Sequence, residues 1–471
     1  MNVTHNELGA FHMKQQVEQY IEQQRAYYMS GATRDVAFRV QQLQTLKKTI
    51  QKYERQVVEA LYADLHKNDF EAYSTEISMV YSSIDEFAKH LVQWNEPVAA
   101  KTPLAFQPAK SYIVREPYGV TCIIGPFNYP FQLVMEPLLG AIIGGNTAIV
   151  KPSEASVATA AVVKMILEEA FEPQYVRVVE GAKETVEALI HAPFDFIFFT
   201  GSVKVGKIVA KACAERLTPY VLELGGKSPA IVDHTANLAV AAQRIAFGRF
   251  TNAGQTCVAP DYVLVQRSVH DKFVKLLQKA IRSFYGKEPK KSAHFGRIIT
   301  KSQVERLADM LAQDRAHIIT GGDVDVETNY VAPTIVDNVS WDAAVMQEEL
   351  FGPVLPIIVY DDLPTALHEV SRLPKPLAAY FFSEHDGAID YFTENFAFGG
   401  GCINDTIMHV GNTKLPFGGV GPSGAGTYHG YASFECFTHA KSMMKRSTKI
   451  NPSLLYPPYS AAEVAIVKKM L

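Results

Sequence analysis

The feature that most constrains the fold is an alternation of short apolar runs and longer helical stretches beyond Lys101. Because strands that alternate with helices usually form a parallel sheet with helices on both faces, this pattern predicts α/β architecture. A first series of predicted buried strands comprises residues 120–124, 147–150, 176–179 and 197–200. Helical stretches such as 156–171 and 202–217 separate these strands.

A second series of the same kind begins near Ser228. Its predicted strands are residues 230–232, 262–265, 354–360 and 378–382. Two parallel-sheet α/β domains are therefore expected, with the break near residues 224–228. Residues 110–115 and the segment after Phe437 fit neither series and are expected to pair as an outlying arm. Upstream, apolar positions from Val40 to Leu65 repeat every three or four residues and predict an amphipathic helix with one bend or break.

Size and composition exclude several classes of protein. A chain of 471 residues is too long for one core, and a net charge of −4 without same-sign blocks gives no indication of a nucleic-acid partner. The most apolar stretch, residues 131–150, is interrupted by Glu136, Pro137 and a Gly-Gly-Asn break, so no transmembrane anchor is expected. Five scattered cysteines without a Cys-x-x-Cys pair argue against a disulfide framework and a zinc site. The sequence thus predicts a cytoplasmic protein without a bound metal.

Two short runs suggest covalent catalysis. Cys257 ends the run Gly-Gln-Thr-Cys, and Glu223 begins the run Glu-Leu-Gly-Gly-Lys-Ser-Pro. A thiolate can act as a nucleophile, and a carboxylate can activate water. Either run alone is weak evidence for catalysis, since a lone cysteine is usually a small buried apolar residue.

Two further segments carry candidate ligand-binding groups. Residues 200–206 form a glycine turn between a predicted strand and helix, with Gly201, Ser202 and Gly206, where backbone N–H groups can meet a pyrophosphate. Its spacing is not the Gly-x-Gly-x-x-Gly fingerprint, and a tight structural turn is the alternative. Lys151 and Glu154 follow a strand end and could bind ribose hydroxyls, or simply begin a helix.

Two other segments are open to a similar choice. Asn128 lies between two prolines and could donate its amide to an oxyanion, or form an Asx turn. Glu349 and Phe351 stand beside a glycine turn. They could hold a ribose and pack against a flat ring, or form a loop before a strand.

As a set, these residues resemble the aldehyde dehydrogenase superfamily. The runs at 223–229 and 254–257 are similar to its two active-site signatures, and their separation matches. Residues 126–130, 151–154, 199–206, 349–353 and 415–421 complete the pattern in order. Residues 63–67, 258–262, 296–299 and 456–458 resemble the class 3 and fatty aldehyde dehydrogenase branch.

The resemblance implies a function and a role for each residue. Cys257 would be the nucleophile, Glu223 the base that activates water, and Asn128 an oxyanion donor. NAD or NADP would be bound by Lys151, Glu154, Gly201, Ser202, Gly206, Glu349 and Phe351, with NAD slightly favoured because Glu154 would repel a 2′-phosphate. The substrate would be an aliphatic medium- or long-chain aldehyde or an aromatic aldehyde, oxidised to the carboxylic acid through a thiohemiacetal and a thioester.

The resemblance also implies a domain organisation. A modified Rossmann cofactor domain would comprise residues 1–104 and 119–224, and a catalytic domain residues 225–436. Residues 105–118 and 437–471 would form a bridging arm and tail that oligomerises the protein into a homodimer. Two alternatives stay open: a cofactor-independent cysteine hydrolase of esters or thioesters, and a CoA-acylating aldehyde dehydrogenase.

Overall fold

The computed structural model describes residues 5–451 and 456–470. Residues 1–4, 452–455 and 471, which belong to the predicted first domain and tail, lie outside the described residues. The helices up to residue 223 are α1 (His5–Met29), α2 (Val36–Leu65), α3 (Asp69–Ala72), α4 (Ser78–Trp94), α5 (Gln132–Gly144), α6 (Val157–Ala170), α7 (Lys183–Ile190) and α8 (Val203–Arg216). The strands in this part are β1 (Val98–Ala100), β2 (Ala109–Pro117), β3 (Val120–Ile124), β4 (Thr147–Lys151), β5 (Val176–Val178), β6 (Phe196–Thr200) and β7 (Tyr220–Glu223).

The remainder of the chain continues the alternation. Its strands are β8 (Pro229–Val232), β9 (Tyr262–Gln266), β10 (Ile318–Thr320), β11 (Val324–Asp325), β12 (Tyr330–Val331), β13 (Thr334–Val336), β14 (Val354–Tyr360), β15 (Ala378–Phe382), β16 (Gly400–Ile403), β17 (Gly424–Ala425) and β18 (Thr438–Arg446). Its helices are α9 (Leu238–Phe250), α10 (His270–Tyr285), α11 (Lys301–Gln313), α12 (Leu363–Ser371), α13 (Asp386–Asn395), α14 (Gly430–Cys436) and α15 (Ala461–Met470).

Two largely parallel sheets organise these elements. The first has the strand order β17-β7-β6-β3-β4-β5, and only β17 is antiparallel to its neighbour. The second has the order β10-β13-β14-β9-β8-β15-β16, and only the edge strand β10 is antiparallel. The predicted fold class, two parallel-sheet α/β units, is confirmed. The break between the two series also falls between β7 and β8, as predicted.

Helices cover both faces of the first sheet. Successive residues of β3 point to opposite sides, because side chains alternate along a strand. Ile123 joins the large core that includes α2, α4 and α5, whereas Cys122 and Ile124 join a smaller cluster with α1 and α8. α1 also contacts the sheet through Gln24, whose Nε2 donates to the carbonyl of Ala148 at 2.8 Å.

The N-terminal amphipathic helix differs in one respect from its prediction. α2 runs without interruption from Val36 to Leu65, so the helix is not broken within this range, which was one of the two forms expected. The interruption comes just after the helix, where His66 adopts a left-handed φ of 53°. That turn separates α2 from α3 and directs Lys67 into the interior, where its side chain is 0 % exposed.

The outlying arm is a three-stranded antiparallel sheet. β2 pairs with β18 from Ala109↔Arg446 to Pro117↔Thr438, and β1 adds to the other side of β2. β1 lies outside the predicted arm of residues 105–118, and β17 belongs to the first sheet although it falls within predicted domain 225–436. The domain boundaries themselves stay a prediction. Within the described ranges, no helix is long and apolar enough to cross a membrane.

Candidate active site

The candidate nucleophile lies in a tight turn between α9 and β9. Asn252 and Ala253 have φ values of 53° and 51°, and Gly254 has 77°, so three consecutive residues are left-handed. A Cβ on Gly254 would lie 2.3 Å from the carbonyl oxygen of Gly352, which only glycine avoids. This turn ends the helix and presents Cys257, whose side chain is half-buried.

Gln255 holds the turn from inside. Its Nε2 donates to the carbonyls of Asn252 at 3.1 Å and Arg297 at 2.9 Å. Its Oε1 accepts from the N–H of Ile299 at 3.0 Å. In the Gly-Gln-Thr-Cys run, the glutamine therefore stabilises the turn by hydrogen bonds, and the side chain of Cys257 is the candidate reactive group.

Glu223 ends β7 and is 3 % exposed. Its backbone is fixed on both sides, by the N–H of Gly201 on its carbonyl at 3.0 Å and by pairing with Gly424 of β17. Neither carboxylate oxygen has a hydrogen-bond partner among the residues that the structure describes. Burial raises the pKa of Glu223 well above its usual value, because the charged form loses its hydration. Once it has lost its proton, a carboxylate with a raised pKa is a stronger base than one with an ordinary pKa.

The protonation state of Cys257 differs from the thiolate that the sequence suggests. Burial, followed by the neighbouring carboxylates of Glu223 and Glu349, raises the pKa of Cys257 to about 12. The structure therefore favours the neutral thiol. Attack on a carbonyl carbon requires loss of that proton first, since the thiolate is the nucleophilic form.

Asn128 lies in the loop between β3 and α5 and is 3 % exposed. Its Nδ2 donates to the carbonyl of Gln255 at 3.0 Å, so the amide rests on the turn that carries Cys257. The backbone carbonyl of Asn128 accepts from Nζ of Lys67 at 3.0 Å and from Nδ2 of Asn252 at 2.8 Å. The structure thus brings Asn128 to the cysteine turn.

The other predicted groups lie along the carboxyl edge of the first sheet. β3 has β4 on one side and β6 on the other, so the strand order reverses there and opens a crevice of the kind that binds nucleotides. Lys151 is the last residue of β4 and forms an ion pair with Glu154. The lysine side chain is 2 % exposed and the glutamate side chain 50 % exposed, so the carboxylate is available to a ligand.

The glycine turn after β6 leads into the N-terminus of α8. Ser202 is the N-cap residue, and its hydroxyl accepts from the N–H of Val205 at 3.4 Å. A Cβ on Gly206 would lie 2.5 Å from Leu224, and a Cβ on Gly201 would lie 2.6 Å from the ring of Phe199. Both glycines therefore permit close packing of helix and strand. The exposed N-terminus of α8, with its backbone N–H groups and the positive end of the helix dipole, fits a pyrophosphate.

Glu349 and Phe351 approach the site from the second sheet. A Cβ on Gly225 would lie 2.0 Å from Oε2 of Glu349, so the glycine leaves room for this carboxylate. Burial, followed by the charge of Asp261, raises the pKa of Glu349 to about 8. Phe351 has a φ of 46° and packs edge-to-face on Phe127, with ring centroids 5.7 Å apart.

The Glu349 loop is held by a buried acidic residue that the sequence analysis missed. Asp261 accepts from Nζ of Lys227 at 2.7 Å, from Nη1 of Arg249 at 3.0 Å and from the N–H of Leu350 at 3.1 Å. Lys67, Glu71, Glu76 and Asn252 behind the cysteine turn were missed as well. Lys67 and Asp261 lie within the family-like runs 63–67 and 258–262, but those runs do not reveal their contacts, because the partners of these residues are distant in sequence.

The residues present fit a dinucleotide on the first sheet. The crevice offers the exposed N-terminus of α8 and the carboxylate of Glu154, which follows the end of β4. Glu349, packed against Gly225, lies beside them, and so does the buried carboxyl group of Glu223, which has no partner in the described chain. Fold and site together describe a two-sheet α/β enzyme with a candidate cysteine nucleophile and a dinucleotide-type edge. Among the described residues, no cluster of His, Cys, Asp or Glu has the make-up of a metal site.

Comparison with known proteins identifies the family. The aldehyde dehydrogenase family matches residues 4–443. The chain is 50 % identical to 4,4′-diaponeurosporen-aldehyde dehydrogenase of Staphylococcus aureus, over 94 % of this chain and 96 % of that protein. It is 42 % identical to a dimeric, NADP-preferring aldehyde dehydrogenase of Canis lupus familiaris, over 94 % and 98 % of the two chains.

A solved structure of similar fold supports the same family. The substrate-bound state of Staphylococcus aureus AldH superimposes with a TM-score of 0.94 at 49 % identity, covering 96 % of this chain and 99 % of that chain. The chain therefore belongs to the aldehyde dehydrogenase family. It is an oxidoreductase that oxidises aldehydes with NAD or NADP.

Proposed function

We propose that this chain oxidises its aldehyde by covalent catalysis, with Cys257 as nucleophile, Asn128 as oxyanion donor and Glu223 as the base for hydrolysis. The observation that carries the proposal is the state of Glu223. Both of its carboxylate oxygens are buried, lack partners within the described chain and raise the pKa of Cys257. Burying a carboxyl group without hydrogen-bond partners costs folding free energy, and groups perturbed in this way cluster at functional sites.

The first step is attack by sulfur on the carbonyl carbon. Cys257 loses its proton to solvent, its sulfur forms the C–S bond, and the electron pair of the C=O π bond moves to oxygen, which becomes an alkoxide. The N–H of Cys257 and the amide of Asn128 stabilise that alkoxide by hydrogen bonds. Since the pKa of Cys257 is raised to about 12, attack becomes faster as pH increases.

The cofactor enters at the second step. Lys151 and Glu154 would bind the adenosine ribose, Ser202 and the α8 N-terminus the pyrophosphate, and Glu349 the nicotinamide ribose. NAD or NADP held there would supply the hydride acceptor, and loss of hydride from the carbon attached to sulfur would leave a thioester on Cys257. Phe351, braced by Phe127, would pack beside the nicotinamide ring.

Hydrolysis completes the cycle. Glu223 takes a proton from a water molecule, the hydroxide adds to the thioester carbon, and the C–S bond breaks to release the carboxylic acid. This use of Glu223 also separates the proposal from the CoA-acylating alternative, in which a thiol rather than water receives the acyl group. A cofactor-independent hydrolase is not favoured, because it would leave Lys151, Glu154 and Glu349 without a common purpose.

Three finer properties belong to the same proposal. The substrate is a medium- or long-chain aliphatic or an aromatic aldehyde, which the name of the Staphylococcus aureus relative supports. The protein works in the cytoplasm as a homodimer. The arm β1-β2-β18 supports the homodimer, since its strand β18 exposes Met443 by 41 % and Met444 by 49 %. Light scattering after gel filtration would measure the mass, and a monomer would contradict the homodimer.

The central experiment is a steady-state series of aldehydes of increasing chain length with NAD and with NADP. Formation of reduced nicotinamide is followed by its absorbance, and the acid product by mass spectrometry. Acid formed without cofactor would contradict the oxidative mechanism. Release of product only in the presence of CoA would contradict hydrolysis by Glu223.

A further inference from the structure

A buried ion pair lies directly beneath the candidate oxyanion donor. Nζ of Lys67 is 2.5 Å from Oε1 of Glu76, and both side chains are 0 % exposed. Nζ of Lys67 also lies 3.9 Å from the centre of the Tyr129 ring. We call Lys67 and Glu76 the buried pair. Two charges without access to water are costly, so their surroundings must supply further hydrogen bonds.

Those hydrogen bonds all go to one loop. Lys67 donates to the carbonyl of Asn128 at 3.0 Å. Oε2 of Glu76 accepts from the backbone N–H of Phe131 at 2.9 Å and of Gln132 at 3.1 Å. The buried pair therefore forms hydrogen bonds with the backbone of residues 128–132 at both ends. Lys67 bonds to the carbonyl of Asn128 at one end, and Glu76 bonds to two N–H groups at the other.

A local irregularity of the helix puts the acidic groups in place. Residues Tyr73–Ile77 form a π-helical turn, in which the N–H of Ser78 bonds to the carbonyl of Tyr73. In a π-turn, residues five apart lie above one another, whereas in an α-helix they diverge. Glu71 and Glu76 therefore face the same side. Short π-turns of this kind are frequently found at functional sites.

Glu71 extends the contact to the cysteine turn. Its Oε1 accepts from the N–H of Asn252 at 2.7 Å, and Nδ2 of Asn252 donates to the carbonyl of Asn128 at 2.8 Å. The carbonyl of Asn128 thus receives two hydrogen bonds, one from Asn252 and one from Lys67. These two hydrogen bonds hold the peptide plane after Asn128, and with it the backbone from which the Asn128 side chain reaches Gln255.

We propose that the buried pair Lys67–Glu76 is a positioning element that holds the Asn128 amide where the alkoxide forms. The proposal rests on the proposed function, since it assumes that Asn128 donates to that alkoxide. Neither residue of the buried pair touches the reacting atoms. Their effect on the reaction passes through the backbone of residues 128–132.

The test is a double-mutant cycle. Lys67→Met with Glu76→Gln replaces the buried pair by neutral side chains of similar length, and removing both charges together avoids an unpaired buried charge. The expected result is a kcat lower by about 10–100-fold, because displacement of a catalytic group by about 1 Å costs that much. The KM for aldehyde and the cofactor affinity, measured by fluorescence titration, should stay within about twofold if positioning alone is lost.

The same double substitution is then made in an Asn128→Ala background. If the buried pair acts through Asn128, it should lower kcat by no more than about twofold there. An equal loss in both backgrounds would overturn the proposal, because the effect would then bypass Asn128. Asn128→Ala with wild-type kcat would instead contradict the proposed oxyanion role, so the two failures are distinguishable.

Glu136→Gln is the matched control. Glu136 is also a buried carboxyl group, on α5, but its Oε1 accepts from Ser83 of α4, and within the described chain its carboxylate has no hydrogen bond to the backbone of residues 128–132. Its variant should keep wild-type kcat. Glu76→Asp is the second variant, since it keeps the charge but withdraws the carboxylate from the two N–H groups, and it should lower kcat in the same way. If both pair variants fail to fold while Glu136→Gln folds, the pair is structural and the proposal is wrong.

Discussion

The carboxyl edges of the two sheets are built from similar residues but differ in how their polar groups are satisfied. At the edge of the second sheet, Asp233 accepts from the hydroxyls of Thr235 at 2.7 Å and Ser383 at 2.5 Å. Asn404 exchanges two hydrogen bonds with the backbone of Ser383, at 2.9 and 2.8 Å. These polar groups at the edge of the second sheet bond to one another, and we call this edge closed.

The edge of the first sheet is open, in the sense that some of its buried polar groups have no hydrogen-bond partner in the described chain. Both carboxylate oxygens of Glu223 and the hydroxyl of Thr200 are buried without partners in the described chain. Buried polar groups in stable proteins are nearly always hydrogen-bonded, so groups left unsatisfied indicate a chemical or ligand-binding task. The comparison therefore predicts that substitutions at the first edge change activity, whereas substitutions at the second edge change stability.

The largest effect is expected for Cys257→Ser. An unactivated hydroxyl is a far poorer nucleophile than a thiolate, so dehydrogenase activity should fall by several orders of magnitude. Cofactor binding, measured by fluorescence titration, should be retained. Cys402→Ser is the control, since Cys402 is also half-buried but lies on β16, and it should remain active. Near wild-type turnover of Cys257→Ser would contradict the assignment of Cys257 as the nucleophile.

Glu223→Gln should separate the two half-reactions. Steady-state turnover should fall by about 10²–10⁴-fold, the usual contribution of a general base. Stopped-flow absorbance should still show a burst of reduced nicotinamide near one equivalent per site, and intact mass should show the acyl group on Cys257. Loss of the burst would mean that Glu223 acts before hydride transfer.

Asn128→Ala should lower kcat by about 10²–10³-fold if its amide stabilises the alkoxide. The measurement is first-turnover formation of reduced nicotinamide at saturating aldehyde. A change confined to KM would place Asn128 in ordinary substrate binding instead.

Ser383→Ala tests the closed edge. It leaves Asp233 with one hydroxyl donor fewer in a buried position, which should cost about 1–3 kcal/mol in the free energy of unfolding. Denaturant unfolding measures that loss, and kcat should be unchanged. A variant with normal stability and reduced kcat would break the comparison between the edges.

The smallest effect concerns pH. Because burial raises the pKa of Glu223, the folded state holds a proton that the unfolded state releases above about pH 4.3. Folding stability from this group is therefore full below that pH and declines as pH rises toward the raised value. Glu223→Gln has no such proton, so its stability relative to wild type should increase with pH. A constant difference in denaturant midpoint across pH would contradict the burial of an unpaired carboxyl group.

Local sequence patterns accounted for much of the fold. The strands predicted at residues 120–124, 354–360 and 378–382 have the observed bounds of β3, β14 and β15, because continuous apolar runs mark strands buried on both faces. The arm pairing of β2 with β18 was also predicted, and the site roles stay predictions. The glycine turn between β6 and α8 was also predicted, and its Gly201 and Gly206 permit close packing of strand and helix.

The partners of the site were decided by tertiary structure. Cys257 and Glu223 are named by their own runs of sequence, and the family of the protein follows from those runs. That Glu223 is left unpaired, that Cys257 is a neutral thiol, and that Lys67 and Glu76 hold the Asn128 loop follow only from burial and long-range contacts. Hydration and hydrogen bonding of a charged group depend on everything that surrounds it in space, and a linear sequence does not record those neighbours.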